Sequence, residues 1–142
     1  MIWMLQRDRE VLQWKSLKNF RTIGGGGLST GVSTLTKMLN PNVKVIGVEP
    51  AAAASMTEAL KERHPVTLAS ANTIADGTAV KRVGEKIFPY AEKNIDEVIT
   101  VSDDDLIGAF LDVVENHKMI VENSGLLTVA ALRHLNFTGK KV

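Results

Sequence analysis

The chain has 142 residues, of which 44% are hydrophobic and 23% are charged, and its formal net charge is +1. This length and composition are typical of one globular domain with a buried core, and the balanced charge gives no electrostatic reason to expect binding to nucleic acid or to an acidic membrane surface. The sequence contains no cysteine, which excludes disulfides, thiolate catalysis and cysteine-ligated zinc.

Helix and strand patterns alternate along most of the chain. Helices are predicted over residues 29–39, 52–63, 83–93 and 103–116 and from 124 or 125 to 132, and strands over residues 43–48 and 97–101. The evidence is apolar residues at helical spacing in the helices and a β-branched run in the first strand. Pro89 predicts an interruption of its helix, and Ser102 is a predicted N-cap followed by three aspartates that favour a helix start. This order predicts an α/β fold, an open parallel sheet with flanking helices.

Two segments do not fit the alternation. Residues 70–80 are rich in glycine, alanine and threonine without periodicity, which indicates a functional loop. Residues 1–22 are polar, contain both tryptophans and predict no strand before the glycines that follow, so we expect them to be poorly ordered or weakly packed. Lys141 and Val142 are typical of the start of a further strand.

The apolar runs give no signal for a membrane, and the histidines give none for a metal. No apolar run is long enough to span a bilayer, and residues 1–5 are too short for the apolar region of a signal peptide. The cytoplasm is therefore the expected compartment. The histidines His64, His117 and His134 lie far apart without ligand-like spacing, which favours surface or helix-end positions.

Four consecutive glycines, Gly24, Gly25, Gly26 and Gly27, form the sharpest motif of the sequence. Because glycine has no Cβ, the backbone can approach a ligand closely and adopt positive φ. Its N–H groups, followed by a helix N-terminus, would form a cradle for a phosphate dianion. The alternative interpretation is a flexible linker. The motif is neither a Walker loop nor the spaced dinucleotide fingerprint.

Three further segments carry carboxylates beside small residues or at a strand end. They are Gly-Val-Glu-Pro at residues 47–50, Thr-Ile-Ala-Asp-Gly at residues 73–77 and Glu-Asn-Ser-Gly at residues 122–125. Each is weak alone, because Glu49 and Asp76 also fit turn residues and Glu122 an ordinary helix cap. In this order, and together with the tetraglycine and the Val-Ser-Asp-Asp-Asp segment, they resemble the second half of the catalytic domain of threonine dehydratases, of which serine racemase is a close relative. The resemblance covers residues 23–142.

The resemblance implies a fragment of a tryptophan synthase beta-like fold that uses pyridoxal 5'-phosphate as an electron sink. Threonine or serine would undergo β-elimination to a 2-oxo acid and ammonia, as in isoleucine biosynthesis or threonine catabolism. Gly24 to Gly27 and Leu28 would hold the cofactor phosphate, Gly77 would lie near the cofactor ring, and Glu122 would lie beside the cofactor. The family members form homo-oligomers.

The resemblance also implies where a metal would bind. In serine racemase a glutamate, a backbone carbonyl four residues on and an aspartate two beyond that hold a divalent cation. Glu49 and Ala53 match the first two, whereas Ser55 stands in place of the aspartate. A hard cation prefers several charged or carbonyl oxygens, so this departure argues against a divalent metal and leaves a monovalent or water-filled site as the alternative.

The chain lacks the segments that carry the family's covalent chemistry. The Schiff-base lysine in Ser-Phe-Lys-x-Arg-Gly-Ala and the ring-contacting asparagine in Ser-Ser-Gly-Asn-His are absent from the sequence. We therefore expect residues 23–142 to be a partial catalytic domain that is inactive alone. The alternatives are a non-catalytic module that binds a phosphate ligand and a partner of full-length subunits.

A frameshift is our hypothesis for the atypical segment 1–22. Back-translation of residues 3–20, read one nucleotide earlier with suitable synonymous codons, gives Asp-Val-x-Ala-Gly-Gln-Gly-Ser-Ile-Ala-Met-Glu-Ile. This string resembles the segment that the family carries upstream of its glycines.

Overall fold

The computed structural model describes residues 18–135. Within this range three parallel strands, β1 (Lys18–Thr22), β2 (Lys44–Pro50) and β3 (Glu97–Val101), form one sheet in the order β1-β2-β3. Phe20 pairs with Ile46 across the first ladder, and Val48 pairs with Ile99 across the second. The open parallel sheet with flanking helices is the predicted fold class, and it is confirmed.

Helices cover both faces of the sheet. They are α1 (Gly27–Leu39), α2 (Ser55–Glu62), α3 (Phe88–Asn94), α4 (Asp103–His117) and α5 (Asn123–Leu132). One core cluster joins α4 and α5 to strand residues such as Phe20, Ile46 and Val48. A second cluster on the opposite face joins α2 and α3 to Ile23 and Val45. Central β2 is buried at six of its seven residues, as expected for a parallel strand covered on both faces.

The expectation that no strand precedes the glycines was wrong. Lys18–Thr22 forms β1 and pairs in parallel with β2 along its whole length. Phe20 is buried in the core although its neighbours in the strand are polar and half-buried. Pairing with a central strand thus outweighs local polarity, since strand preference depends mainly on the neighbours that a strand acquires. The expectation of poor order or weak packing is therefore wrong for residues 18–22. Residues 1–17 and the predicted strand at Lys141 lie outside the described range.

Two predicted helices differ in their bounds. The predicted helix 83–93 begins only at Phe88, because Pro89 takes the first turn of α3, where a proline needs no N–H partner. The predicted helix 52–63 is divided into a 3-10 turn, Ala51–Ala53, and α2. Strand β3 has the predicted bounds, and Ser102 is the N-cap of α4, where its Oγ accepts a hydrogen bond from the Asp105 N–H at 3.1 Å.

Candidate phosphate-binding site

The tetraglycine lies between the end of β1 and the start of α1, at the carboxyl edge of the parallel strands. The Ile23 N–H donates to the Val48 carbonyl at 2.9 Å and so ties the approach of the loop to β2. Gly26 is the N-cap of α1 and has φ 91°, a conformation that glycine adopts without strain. Among the described residues, nothing lies within 4 Å of a Cβ built on Gly25. The loop therefore leaves an open space on the ligand side.

The N-terminus of α1 points its unpaired donors at this space. The first backbone hydrogen bond of the helix runs from the Thr30 N–H to the Gly26 carbonyl at 3.0 Å. The N–H groups of Gly27, Leu28 and Ser29 precede that ladder and have no partner within the helix. No acidic residue occupies the first turn. Backbone donors, the positive end of the helix dipole and a first turn without a carboxylate together suit an anion such as a phosphate group.

A cavity of about 310 Å³ opens over the glycine loop, at the lower end of the range of about 300–1,000 Å³ typical of small-molecule sites. The structure brings all seven residues predicted to bind the cofactor into its lining: Gly24, Gly25, Gly26, Gly27, Leu28, Gly77 and Glu122. Their individual roles stay predictions. The lining also contains five residues that were given no role from the sequence: Thr22, Ser29, Thr78, Ser124 and Gly125. Ser124 and Gly125 belong to the Glu-Asn-Ser-Gly motif, which was the available signal for them.

Gly77 lies in a 3-10 turn, Asp76–Thr78, that forms one wall of the cavity. A Cβ on Gly77 would lie 2.9 Å from Ser124 Oγ and 3.8 Å from Glu122 Oε1. A Cβ on Gly24 would lie 3.3 Å from Thr78 Cα. The three segments therefore approach each other closely because glycine stands at both contact points. Neighbouring Asp76 is exposed and does not line the cavity.

Glu122 occupies the N-cap position of α5 but makes no side-chain capping hydrogen bond. Its side chain is exposed at the cavity mouth. A carboxylate in this position can accept a hydrogen bond from a ligand without first breaking one inside the protein. Glu122 is therefore a candidate ligand-orienting group rather than a helix cap.

Glu49, a predicted metal ligand, is fully buried at the end of β2. Its Oε1 accepts a hydrogen bond from the Met56 N–H at 2.7 Å, and its Oε2 accepts from the Thr57 N–H at 2.9 Å and the Thr57 hydroxyl at 2.8 Å. Burial raises the pKa of Glu49 above its ordinary value, and these three hydrogen bonds partly oppose the rise. The carboxylate thus accepts hydrogen bonds from two backbone N–H groups in the first turn of α2.

The absence of a divalent cation at these residues stays a prediction, which the hydrogen bonds of Glu49 support. Ala53 and Ser55 are buried nearby in the chain, and Ser55 Oγ has no hydrogen-bond partner. A divalent cation needs about six oxygen ligands, whereas the single carboxylate at this position already accepts three hydrogen bonds. Across residues 18–135 no group of three or more acidic or histidine side chains could hold a metal ion.

No helix within the described part of the chain is long and apolar enough to cross a membrane.

Comparison with known proteins identifies the relatives of this chain. The family described as pyridoxal-phosphate dependent enzyme matches residues 15–142. The biosynthetic L-threonine dehydratase of Pasteurella multocida is 41% identical over 126 residues, which are 87% of this chain and 25% of that protein. The chloroplastic threonine dehydratase 2 of Solanum lycopersicum is 45% identical over 111 residues, 78% of this chain and 19% of that protein. The chain thus spans a quarter or less of the length of these relatives.

Solved structures give the same result. Threonine deaminase isoform 2 from Solanum lycopersicum superposes with a TM-score of 0.78 at 44% identity, over 83% of this chain and 35% of that one. Maize serine racemase superposes with a TM-score of 0.81 at 31% identity, over 92% of this chain and 38% of that one. Both matches span less than half of the solved chain.

Proposed function

Since the chain belongs to the family of pyridoxal-phosphate-dependent enzymes, we propose that its glycine loop binds the phosphate group of pyridoxal 5'-phosphate as part of a threonine dehydratase catalytic domain. The observation that carries the proposal is the open space at Gly25 in front of the first turn of α1. A dianion there would meet backbone N–H donors and the positive end of the helix dipole.

The remaining residues of the cavity have distinct tasks in this proposal. When bound, the cofactor supplies an electron sink for removal of the Cα proton of an amino acid. The backbone at Gly77 would form the wall beside the ring, where a side chain would instead meet Ser124. The Glu122 carboxylate accepts a hydrogen bond and orients the bound molecule. Thr78 and Ser124 contribute hydroxyls to the lining.

We propose β-elimination of threonine or serine as the activity of the whole enzyme, from the names of the relatives. The lysine segment that holds the cofactor in the family is absent from this sequence. The chain alone is therefore expected to bind the cofactor without covalent attachment and without turnover. Homo-oligomerisation and a cytoplasmic location stay predictions, and the relatives include a chloroplastic enzyme.

The test is a titration of the chain with pyridoxal phosphate, followed by absorbance and fluorescence. We expect saturable binding, no borohydride-trapped adduct, and no 2-oxobutyrate from threonine above a free-cofactor control. Gly25→Val fills the cradle without meeting protein atoms within 4 Å of its Cβ. It should weaken binding at least about tenfold, since hydrogen bonds to charged groups contribute about 1.5–3 kcal/mol.

The matched control is Gly31→Val in the middle of α1, where a Cβ also meets nothing within 4 Å among the described residues. This variant adds the same side chain away from the cavity and should bind like the wild type. Absence of saturable binding by the wild type, or equal affinity of Gly25→Val and the wild type, would contradict the proposal.

A further inference from the structure

The loop that carries Gly77 has little regular structure of its own. Between the end of α2 at Glu62 and the start of α3 at Phe88, the structure has only the 3-10 turn Asp76–Thr78. A segment of this kind keeps one conformation only when other elements bind its backbone groups. The groups that hold it next to the cavity therefore decide where Gly77 lies.

Asp103, in the first turn of α4, binds the loop with both carboxylate oxygens. Its Oδ1 accepts a hydrogen bond from the Thr73 hydroxyl at 2.6 Å, and its Oδ2 accepts from the Ile74 N–H at 3.1 Å. The Thr73 Oγ1 in turn accepts from the Ala75 N–H at 3.2 Å. One half-buried carboxylate thus fixes three consecutive residues just before the turn that contains Gly77.

Asn123, the first residue of α5, holds the same loop. Its Nδ2 donates to the Ile74 carbonyl at 2.9 Å, so both backbone groups of Ile74 are bound by flanking helices. Beyond Ile74, the Ala75 carbonyl accepts from the Thr78 N–H at 2.9 Å and from the Thr78 hydroxyl at 3.0 Å. The hydrogen bonds therefore continue without interruption from Asp103 into the cavity wall.

The two aspartates that follow Asp103 do not share this role. Asp104 is exposed, and Asp105 accepts from Ser102 and pairs with His134 at 3.2 Å. All three stand in the first turn of α4, where the helix dipole favours negative charge. Dipole stabilisation alone would therefore not distinguish Asp103 from Asp104, whereas the hydrogen bonds to Thr73 and Ile74 do.

We propose that Asp103 is a positioning residue for the cofactor site: it acts through Thr73 and Ile74 to hold Gly77 against the ring of the bound cofactor. This inference rests on the proposed function. In that function the glycine loop would bind the phosphate group and the ring would lie beside Gly77, so loss of Asp103 should weaken pyridoxal phosphate binding and spare the binding of inorganic phosphate. A general loss of structure would weaken both.

The experiment compares Asp103→Asn with Asp104→Asn, which removes the same charge one residue away. In Asp103→Asn the amide that replaces one oxygen cannot accept a hydrogen bond. We expect the Ile74 and Ala75 amides to exchange with solvent about tenfold faster and the Kd for pyridoxal phosphate to rise about tenfold, the equivalent of about 1.4 kcal/mol. The Kd for inorganic phosphate should stay within about twofold, and Asp104→Asn should change none of these values.

Thr73→Val is the second variant, because it keeps the charge and shape of the site and removes only the hydroxyl between Asp103 and the Ala75 N–H. It should change the same quantities in the same direction by a smaller factor. Unchanged amide exchange in Asp103→Asn would overturn the inference, as would equal weakening of pyridoxal phosphate and phosphate binding. A wild-type chain that binds no pyridoxal phosphate overturns the proposed function, whereas a binding wild type with an unaffected Asp103→Asn variant overturns only the role of Asp103.

Discussion

Gly47→Ala should destabilise the chain because Gly47 packs against Ile23, the residue that precedes the glycine loop. A Cβ on Gly47 would lie 2.2 Å from Ile23 Cδ1, 3.2 Å from Ile23 Cγ1 and 3.3 Å from Val98 Cγ2. Favourable contacts between carbon atoms lie at about 3.5–4.0 Å, so the Ile23 side chain must move by roughly 1 Å or more. Ile23 is 1% exposed, which leaves it little space to rotate.

The expected magnitude follows from the contact. Added methyl groups in a packed core typically cost about 1–3 kcal/mol, and the short distance to Ile23 Cδ1 places Gly47→Ala in the upper part of that range. Ile23→Val removes Cδ1 and should alone cost about 0.5–1.5 kcal/mol. The double variant should be much closer in stability to Ile23→Val than Gly47→Ala is to the wild type, because the atom with the shortest contact, Ile23 Cδ1, is gone.

The assay is equilibrium unfolding in urea on the four members of this double-mutant cycle. Gly31→Ala is a control for which the opposite effect is expected. Gly31 is exposed within α1, and no described residue lies within 4 Å of a Cβ built there. Alanine should therefore stabilise the chain by about 0.5–1 kcal/mol. A Gly47→Ala variant as stable as the wild type, or strictly additive effects in the cycle, would refute the packing argument.

Two further predictions concern carboxylates outside the cavity. Ser102→Ala removes the N-cap bond of α4 and should cost about 1 kcal/mol at neutral pH. The Ser102 hydroxyl is the main cause of the lowered pKa of Asp105. A carboxyl group whose pKa is lowered in the folded state stabilises the fold at pH values above its unfolded-state pKa of about 3.9. This stabilisation is lost as the pH falls through the folded-state pKa. The stability difference between wild type and Ser102→Ala should therefore shrink in acid, as measured by urea unfolding at several pH values, and a constant difference would contradict the assignment. For Glu49, excess magnesium or EDTA should leave the thermal midpoint unchanged, whereas Glu49→Ala should lower the unfolding free energy by about 1–3 kcal/mol because two backbone N–H groups lose their acceptor. A midpoint that rises with magnesium would indicate a cation at this position.

Much of the local structure could be predicted because its causes lie within a few residues. The Ser102 cap and the strand at residues 97–101 depend on side chains that act on their own backbone or on their immediate periodicity. The interruption predicted at Pro89 was wrong. A proline is compatible with the first turn of a helix, so it begins α3 rather than interrupting it.

Strand β1 could not be predicted, because its cause lies outside its own residues. Lys18, Asn19 and Arg21 give it no strand-like alternation. The strand forms because β2 offers a complete row of unpaired backbone groups, and because Phe20 finds the core between β2 and α5. A partner strand supplies the hydrogen bonds and the buried contacts that the local sequence lacks.

The sequence by itself predicts an anion-binding loop, because glycines before a helix start are local properties of residues 24–30. Only the tertiary structure decided which distant residues share that cavity. Gly77 and Glu122 meet the glycine loop because α5, which Glu122 precedes, packs against β1 and against the 3-10 turn that contains Gly77. The role of Glu49 was likewise decided by packing: a buried carboxylate requires donors, and the start of α2 is where the fold provides them.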